Sequence, residues 1–296
     1  MTQPPGFLTI TAAEYHSDVF GEADRQPALS AGIASILINA SPKHAWAAHP
    51  RLNPDFKPRE EGKFDIGTAA HKLLLEGVEN VVVVEADDWR TKAAKETRDL
   101  ARASGMSPLL EREWEAVKAM VDAAREQFGA FGLDLEPLPF TEGKPEQSIM
   151  WHEPNGVCCK ARIDWLHDDH STVDDYKTTS RSASPDTWTR STLYSIGADV
   201  QAAFYLRGLE RLTGKRPAWR FVVQETFPPF ALSVISLGPD VMELAEAKVD
   251  YAITKWVECM TRDEWPAYPM RICWAEAPAW EMSRWLEKEG REEMAA

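Results

Sequence analysis

The sequence predicts an α/β fold with a mixed central sheet flanked by helices and extended by helical additions. Three observations predict it: segments of strand and helix period alternate along the chain, residues 146–177 read as three consecutive strands, and amphipathic Ala/Glu/Lys/Arg-rich stretches lie on either side. With 296 residues and 44% hydrophobic content the chain can bury a large core, and no repeat or low-complexity stretch interrupts the order. The expectation is one domain, 1–296, with an N-terminal cover over 1–60, a core over 61–260 and a helical tail over 261–296.

The first 60 residues are proline-rich, with a helix expected from the N-cap Ser30 to Asn39 and another opening at Ser41-Pro42, where proline suits the first helical turn. A helix over 65–76, closed by Gly77, leads into the β-branched run Val81–Val84, which reads as a buried strand. Helices over 91–104 and 108–128 are separated by Gly105 and Pro108, and a loop follows over 129–145. Strands at 146–152, 157–166 and 171–177, with turns at Pro154-Asn155-Gly156 and His167-Asp168-Asp169-His170, make an antiparallel meander. A helix over 198–213 ends at Gly214, strands follow at 219–226 and 230–237, then a helix over 240–260 and an acidic helix over 278–293.

Lys plus Arg number 33 against 47 Asp plus Glu, a net charge of −14 and the wrong sign for coating nucleic acid through bulk charge. Any such contact must be a local basic patch. The first ten residues lack a basic start and apolar run, and no stretch approaches the roughly 18 apolar residues of a span, so a cytoplasmic location away from membranes is expected. Cys158, Cys159, Cys259 and Cys273 contain no CxxC pair, which argues against a zinc ribbon or an iron–sulfur cluster and for reduced thiols.

In the second meander strand the period of two places Cys159, Ala161, Ile163 and Trp165 on one face and Lys160, Arg162 and Asp164 on the other. Asp175 and Lys177 share a face of the third strand, and an antiparallel hairpin can bring them near Asp164. Two carboxylates and a lysine suit phosphodiester hydrolysis, the acids holding Mg²⁺ or Mn²⁺ while the lysine orients water. A cross-strand salt bridge on a solvated face explains the trio equally well. Other residues bear on the choice: His71 follows the small residues of GTAAH at 67–71, and Gln201 and Tyr205 lie four apart on one helix face.

Taken in order, Gly-x-x-x-His at 67–71, Arg-Ile-Asp at 162–164, Asp-Tyr-Lys-Thr at 175–178 and Gln-x-x-x-Tyr at 201–205 resemble the PD-(D/E)XK nuclease superfamily. The similarity is to its RecB-like branch, with the RecE or exodeoxyribonuclease VIII-type phage recombination exonucleases, and it spans about residues 60–240. The resemblance implies a restriction-endonuclease-like core and a Mg²⁺- or Mn²⁺-dependent exonuclease, with two ions, that digests double-stranded DNA ends 5′-to-3′. His71, Asp164, Asp175 and the Tyr176 carbonyl would ligate metal, Lys177 would be the catalytic lysine, and Gln201 and Tyr205 would line the site and contact DNA or brace the lysine. Glu146, at the start of the first meander strand, is a further candidate carboxylate. A homo-oligomeric ring and a single-strand annealing protein as partner also follow from the resemblance.

Lys92, Lys95, Arg98 and Arg102 fall within roughly 120° of a continuous helix, a stripe that either tracks DNA phosphates or is a solvated face beside Glu96 and Asp99. The alternative DNA path runs past Lys160, Arg162, Arg181 and Arg190. Two rival functions stay open at this level: a non-catalytic nucleic-acid-binding module with a nuclease fold, and a metal-dependent hydrolase of another phosphoester.

Overall fold

The computed structural model describes residues 5–20, 26–57, 66–77, 81–131 and 135–295. The N-terminal region supplies β1 (Gly6–Leu8), α1 (Ala12–Ser17), β2 (Leu29–Ser30), α2 (Ala31–Asn39) and α3 (Pro42–Ala48). Next come α4 (Ile66–His71), which widens into a further turn over Lys72–Glu76, β3 (Val81–Val84), α5 (Lys92–Ala103), β4 (Ser107–Leu110) and α6 (Glu111–Phe131). The chain continues through β5 (Gly143–His152), β6 (Cys158–His167), β7 (Thr172–Thr179), α7 (Pro185–Trp188), α8 (Ala198–Thr213), β8 (Ala218–Glu225), β9 (Leu232–Ile235) and α9 (Pro239–Arg262). Two compact units result, 1–265 and 266–296, the second carrying α10 (Ala279–Ala295).

The main sheet of the first unit has the order β1-β5-β6-β7-β8-β9, with β2 paired to β6. β5, β6 and β7 are antiparallel, as hairpins must be, whereas β7 and β8 are parallel because α8 intervenes as a crossover. One face, with Trp151, Ala161, Ile163 and Phe221, packs against α2, α8 and α9; the other, with Tyr176 and Val222, packs against α4 and α6. This is the mixed sheet between helical layers that the sequence pattern predicts. Ser30 caps α2 through its hydroxyl, and Gly214 ends α8 at φ 70°, both as read from sequence.

Several expectations change. Val81–Val84 does not join the main sheet; it pairs in parallel with Ser107–Leu110 in a separate two-stranded sheet. The predicted helix over 108–128 therefore starts later, at Glu111, because Pro108, Leu109 and Leu110 are buried in extended conformation and the Glu113 carboxylate accepts from the Leu110 N–H at 2.9 Å. The N-terminal region is more than a cover, since β1 extends the sheet beside β5 and β2 pairs with Cys159 and Lys160. Trp165 was expected beside Ile163, yet it belongs to the opposite core cluster while Leu166 returns to the first, so the pleat changes phase at Asp164–Trp165. His167 was expected in a solvated turn, but it is buried and shares Asp174 with Arg220, at 2.8 and 2.6 Å respectively.

α8 approaches the sheet closely because Gly208 has no side chain: a Cβ there would lie 2.6 Å from the Trp151 ring. Gly208→Ala is therefore expected to destabilise the protein by about 1–3 kcal/mol through overpacking, despite alanine's higher helix propensity. Denaturant unfolding measures it, and equal or greater stability would mean that the ring can shift freely.

Candidate functional site

The site lies where β6 and β7 part. Their ladder contains only Trp165↔Asp174 and Leu166↔Val173, and continuing that register would set Asp164 against Asp175 just beyond the last pair. Instead the Tyr176 N–H donates to Asp164 Oδ2 at 3.0 Å, a side chain replacing the missing strand partner. Farther along β6, at Cys159 and Lys160, β2 occupies the edge that β7 has left. On the other flank, β5 and β6 keep one register on both sides of Glu146 and Asp164, yet these two residues, opposite each other, drop out of the ladder. Glu146 there has φ 53°, a costly backbone state for a non-glycine residue and a common mark of functional positions.

α4 brings His71 to this opening. Gly67 makes that possible, because a Cβ at this position would overlap the Thr178 hydroxyl of β7. His71 Nε2 lies 3.2 Å from Asp164 Oδ2, and its Nδ1 lies 3.7 Å from Glu146 Oε1. Glu146 also pairs with Arg162, which in turn donates to Ser148 Oγ at 2.9 Å. On the far side of the opening, the fully buried Asp175 pairs with Lys177 through Oδ1 and accepts from Gln201 Nε2 at 2.8 Å through Oδ2. The surrounding cleft, about 700 Å³, is lined by Arg162, Lys177, Tyr176, Lys72 and His16 among others.

Burial dominates the ionisation of these groups, and neighbouring charges decide each outcome. Burial pushes Asp175 up to about 7, with Lys177 opposing and the Asp164 charge adding to the rise. Burial also works against ionised Asp164, but the His71 hydrogen bond and the Lys177 charge outweigh it and hold this carboxyl below its ordinary value. Glu146 is raised by burial in spite of His71 and Arg162. For His71 and Lys177 burial favours the neutral form, and the adjacent carboxylates overcome it, so both are shifted upward.

Among the described residues, one donor atom each from His71, Glu146 and Asp164 lie within 4.8 Å of one another. Two ligands about 2.0–2.3 Å from one hard cation can stand up to roughly 4.6 Å apart, so this imidazole and two carboxylates fit a divalent ion with small adjustment. Asp175 stands outside that close group, its oxygens engaged by Lys177 and Gln201.

Of the residues singled out from sequence, His71, Glu146, Asp164, Asp175, Tyr176, Lys177 and Gln201 thus surround one opening. Gln201 holds Asp175 and not the lysine. Tyr205 is 8% exposed and packs edge-on against Trp219 in the core, so it lies on the inner side of the site and is too enclosed to contact DNA. Lys160 is likewise buried, donating to the Tyr15 carbonyl at 2.6 Å and paired with Asp18 at 3.0 Å, which removes it from any DNA path. Arg162 lines the cleft but is committed to Glu146. Arg181 and Arg190 are exposed. Lys92, Lys95, Arg98 and Arg102 sit on α5, which packs on the small β3–β4 sheet; Lys92 pairs with Glu96 and Arg98 with Asp99. Sequence reading missed His16 and Lys72 as cleft residues, and nothing local in the sequence marks them. Glu146, the further candidate carboxylate, does stand in this site, and centring the first hairpin on Asn155 sets it opposite Asp164.

Comparison with known proteins agrees with this fold. The family model described as "PDDEXK-like domain of unknown function (DUF3799)" matches residues 36–275. No curated protein matches the sequence significantly. A crystal structure described as a "Putative exonuclease" from Eubacterium rectale superimposes with a TM-score of 0.59 at 10% identity, covering 93% of this chain and 98% of that one. The structure of SSO0001, at 16% identity over 66% of this chain and 87% of that one, has a TM-score of 0.25, too low to indicate a shared fold.

Because His71 is shifted upward from its ordinary imidazole value and Asp175 is pushed up to about 7, a cation that engages them competes with protons near neutral pH. Mn²⁺ affinity is therefore expected to weaken as pH falls from 8 to 6, by about tenfold per unit for each proton displaced. Calorimetric titration in buffers of different ionisation heat reads both the affinity and the released protons; a flat profile would remove these groups from cation binding.

Proposed function

The chain belongs to the PDDEXK-like domain family, and on that premise we propose that it is a metal-dependent nuclease that hydrolyses phosphodiester bonds of DNA from double-stranded ends. One observation carries the reading: Lys177, paired with the fully buried Asp175, lines the same cleft as His71 and Glu146, whose donor atoms group with one of Asp164. A cross-strand salt bridge on a solvated face would leave both partners in water, whereas Asp175 is fully buried beside an acidic donor cluster.

His71, Glu146 and Asp164 would hold the cation, and the family resemblance adds Asp175, the Tyr176 carbonyl and a second ion. Bound there, Mg²⁺ or Mn²⁺ would polarise a phosphoryl oxygen and lower the pKa of its water. Lys177 keeps its charge, since Asp175 and Asp164 favour the ammonium, and a charged lysine orients water and offsets negative charge on the phosphate. Gln201 fixes the Asp175 carboxylate through Oδ2 and is a positioning residue. Arg162 prevents Glu146 from repelling the other acids while no cation is present.

Exonuclease action and 5′-to-3′ polarity rest on the RecE-type motif order, and the exonuclease description of the Eubacterium rectale protein supports the former. The same resemblance underlies a ring assembly and an annealing protein as partner, while the cytoplasmic setting rests on the sequence's N-terminal residues and apolar runs; among the described residues no helix is long and apolar enough to cross a membrane. We assign the activity to the 61–260 core.

Purified protein with Mg²⁺ or Mn²⁺ is expected to degrade linear duplexes and spare circles, and equal attack on circles would exclude end dependence. Asp164→Asn and Asp175→Asn should each lower turnover by about 10²–10⁴-fold while DNA binding survives. Near-normal rates in either would sink the site assignment.

Lys177→Ala should lose turnover to a similar extent but still bind Mn²⁺, whereas His71→Ala should weaken Mn²⁺ affinity itself. Calorimetry beside a nuclease assay separates the two roles. A His71→Ala variant that is merely less heat-stable, with affinity intact, would show a structural histidine.

A further inference from the structure

A second cavity, about 470 Å³, opens between α1, α2 and the chain just after α3. Its walls include Tyr15, His16, Ile33, Ile36 and Phe56, and Lys160 of β6 borders it. His16 also lines the candidate catalytic cleft, so the two spaces share a wall. Lys160 and Asp164 are four residues apart on one strand, which sets the cavity about 13 Å along β6 from the metal-site acid.

Two polar groups of this cavity, Lys160 and His49, are already committed. Lys160 is matched by Asp18 at 3.0 Å and donates to the Tyr15 carbonyl at 2.6 Å. His49 also borders the cavity, and both its ring nitrogens are engaged, Nε2 with the Ala28 carbonyl at 3.1 Å and Nδ1 with the Arg51 N–H at 3.2 Å. A phosphate would find no uncommitted cation in these two groups, whereas a flat group with apolar faces would find aliphatic and aromatic walls. A nucleic-acid strand held in the adjoining cleft carries such a group, an unpaired base, and stacking of bases on aromatic rings tolerates any sequence.

We propose that this cavity receives an unpaired nucleobase of the strand being cut, flanking the scissile phosphate; the proposal rests on the nuclease reading above. A base paired within a duplex is stacked on its neighbours and cannot enter, so the strand must be frayed or single-stranded there. The catalytic cleft then acts on a strand already parted from its complement over the nucleotides next to the cut.

The test uses the full chain with Ca²⁺ and single-stranded oligonucleotides carrying 2-aminopurine at successive positions. Fluorescence should change severalfold at one or two adjacent positions, where the base exchanges its stack on neighbouring bases for the cavity walls, and little elsewhere. Gly32 lines the cavity, and a Cβ there would meet nothing within 4 Å, so Gly32→Leu introduces bulk at the cavity from an open position. That variant should abolish the position-specific change and weaken oligonucleotide binding about tenfold, and Phe56→Ala should reduce the change. Uniform fluorescence at every position, or unchanged binding by a folded Gly32→Leu protein, would overturn the proposal. Cleavage of duplex DNA is read separately: a position-specific fluorescence change without any Mg²⁺- or Mn²⁺-dependent hydrolysis would support the base pocket and defeat the nuclease reading.

Discussion

Three carboxylates, Glu146, Asp164 and Asp175, converge on one partly buried opening, and their mutual repulsion is the constraint to which the surrounding structure responds. At an effective dielectric near 20, two unit charges about 4 Å apart repel by roughly 4 kcal/mol, comparable to a large share of a domain's net stability. Each acid is therefore given its own counterpart: Arg162 for Glu146, His71 and the Tyr176 N–H for Asp164, Lys177 and Gln201 for Asp175. Burial keeps Glu146 and Asp175 shifted upward in spite of these counterparts, with the Asp164 charge adding to both shifts. A divalent cation held by the His71, Glu146 and Asp164 donors would offset that mutual repulsion directly, and this is the link between the local electrostatics and the proposed chemistry.

Holding such a site open requires the sheet to depart from regular pairing without losing its register. Glu146 and Asp164 leave the ladder together, so pairing resumes unchanged on both sides although the pleat has switched faces. β7 keeps its place after parting from β6 because it stays paired to β8 along its length, including at Asp175. One residue earlier, Asp174 is fixed by Arg220 of β8 and by His167 of β6. Asp175 is thereby presented from a rigid strand, while α4, lying close over Gly67, supplies His71 from the other layer.

Distribution of the basic residues changes the picture of how nucleic acid would approach. Lys160 and Arg162, which look from sequence like a path beside the active strand, are consumed by Asp18 and Glu146. Their charges stabilise the protein's own acids. The cleft's remaining cationic edge includes Lys72, on the turn directly after His71, with His16 on the opposite wall contributed by the N-terminal region. The segment read as a cover therefore helps to shape both the cleft and the cavity beside it.

Alternation, turn residues and caps determined by themselves the meander, α8 and its glycine stop, and α9, because these signals are local: a period of two or 3.6, a cap or a turn depends on neighbours in the chain. Alternation also set Asp164, Asp175 and Lys177 on charged strand faces, whereas His71 and Gln201 gained their place from the motif order that resembles the PD-(D/E)XK nucleases, and Glu146 stood as a further candidate carboxylate at the start of the first meander strand. Tertiary structure alone decided that Val81–Val84 pairs with Ser107–Leu110, that Lys160, His167 and Tyr205 are buried, and that Trp165 changes faces. A charged or polar residue at a strand position reads as solvated unless a distant partner satisfies it, and those partners, Asp18, Asp174 and Tyr15, come together only when separate segments pack.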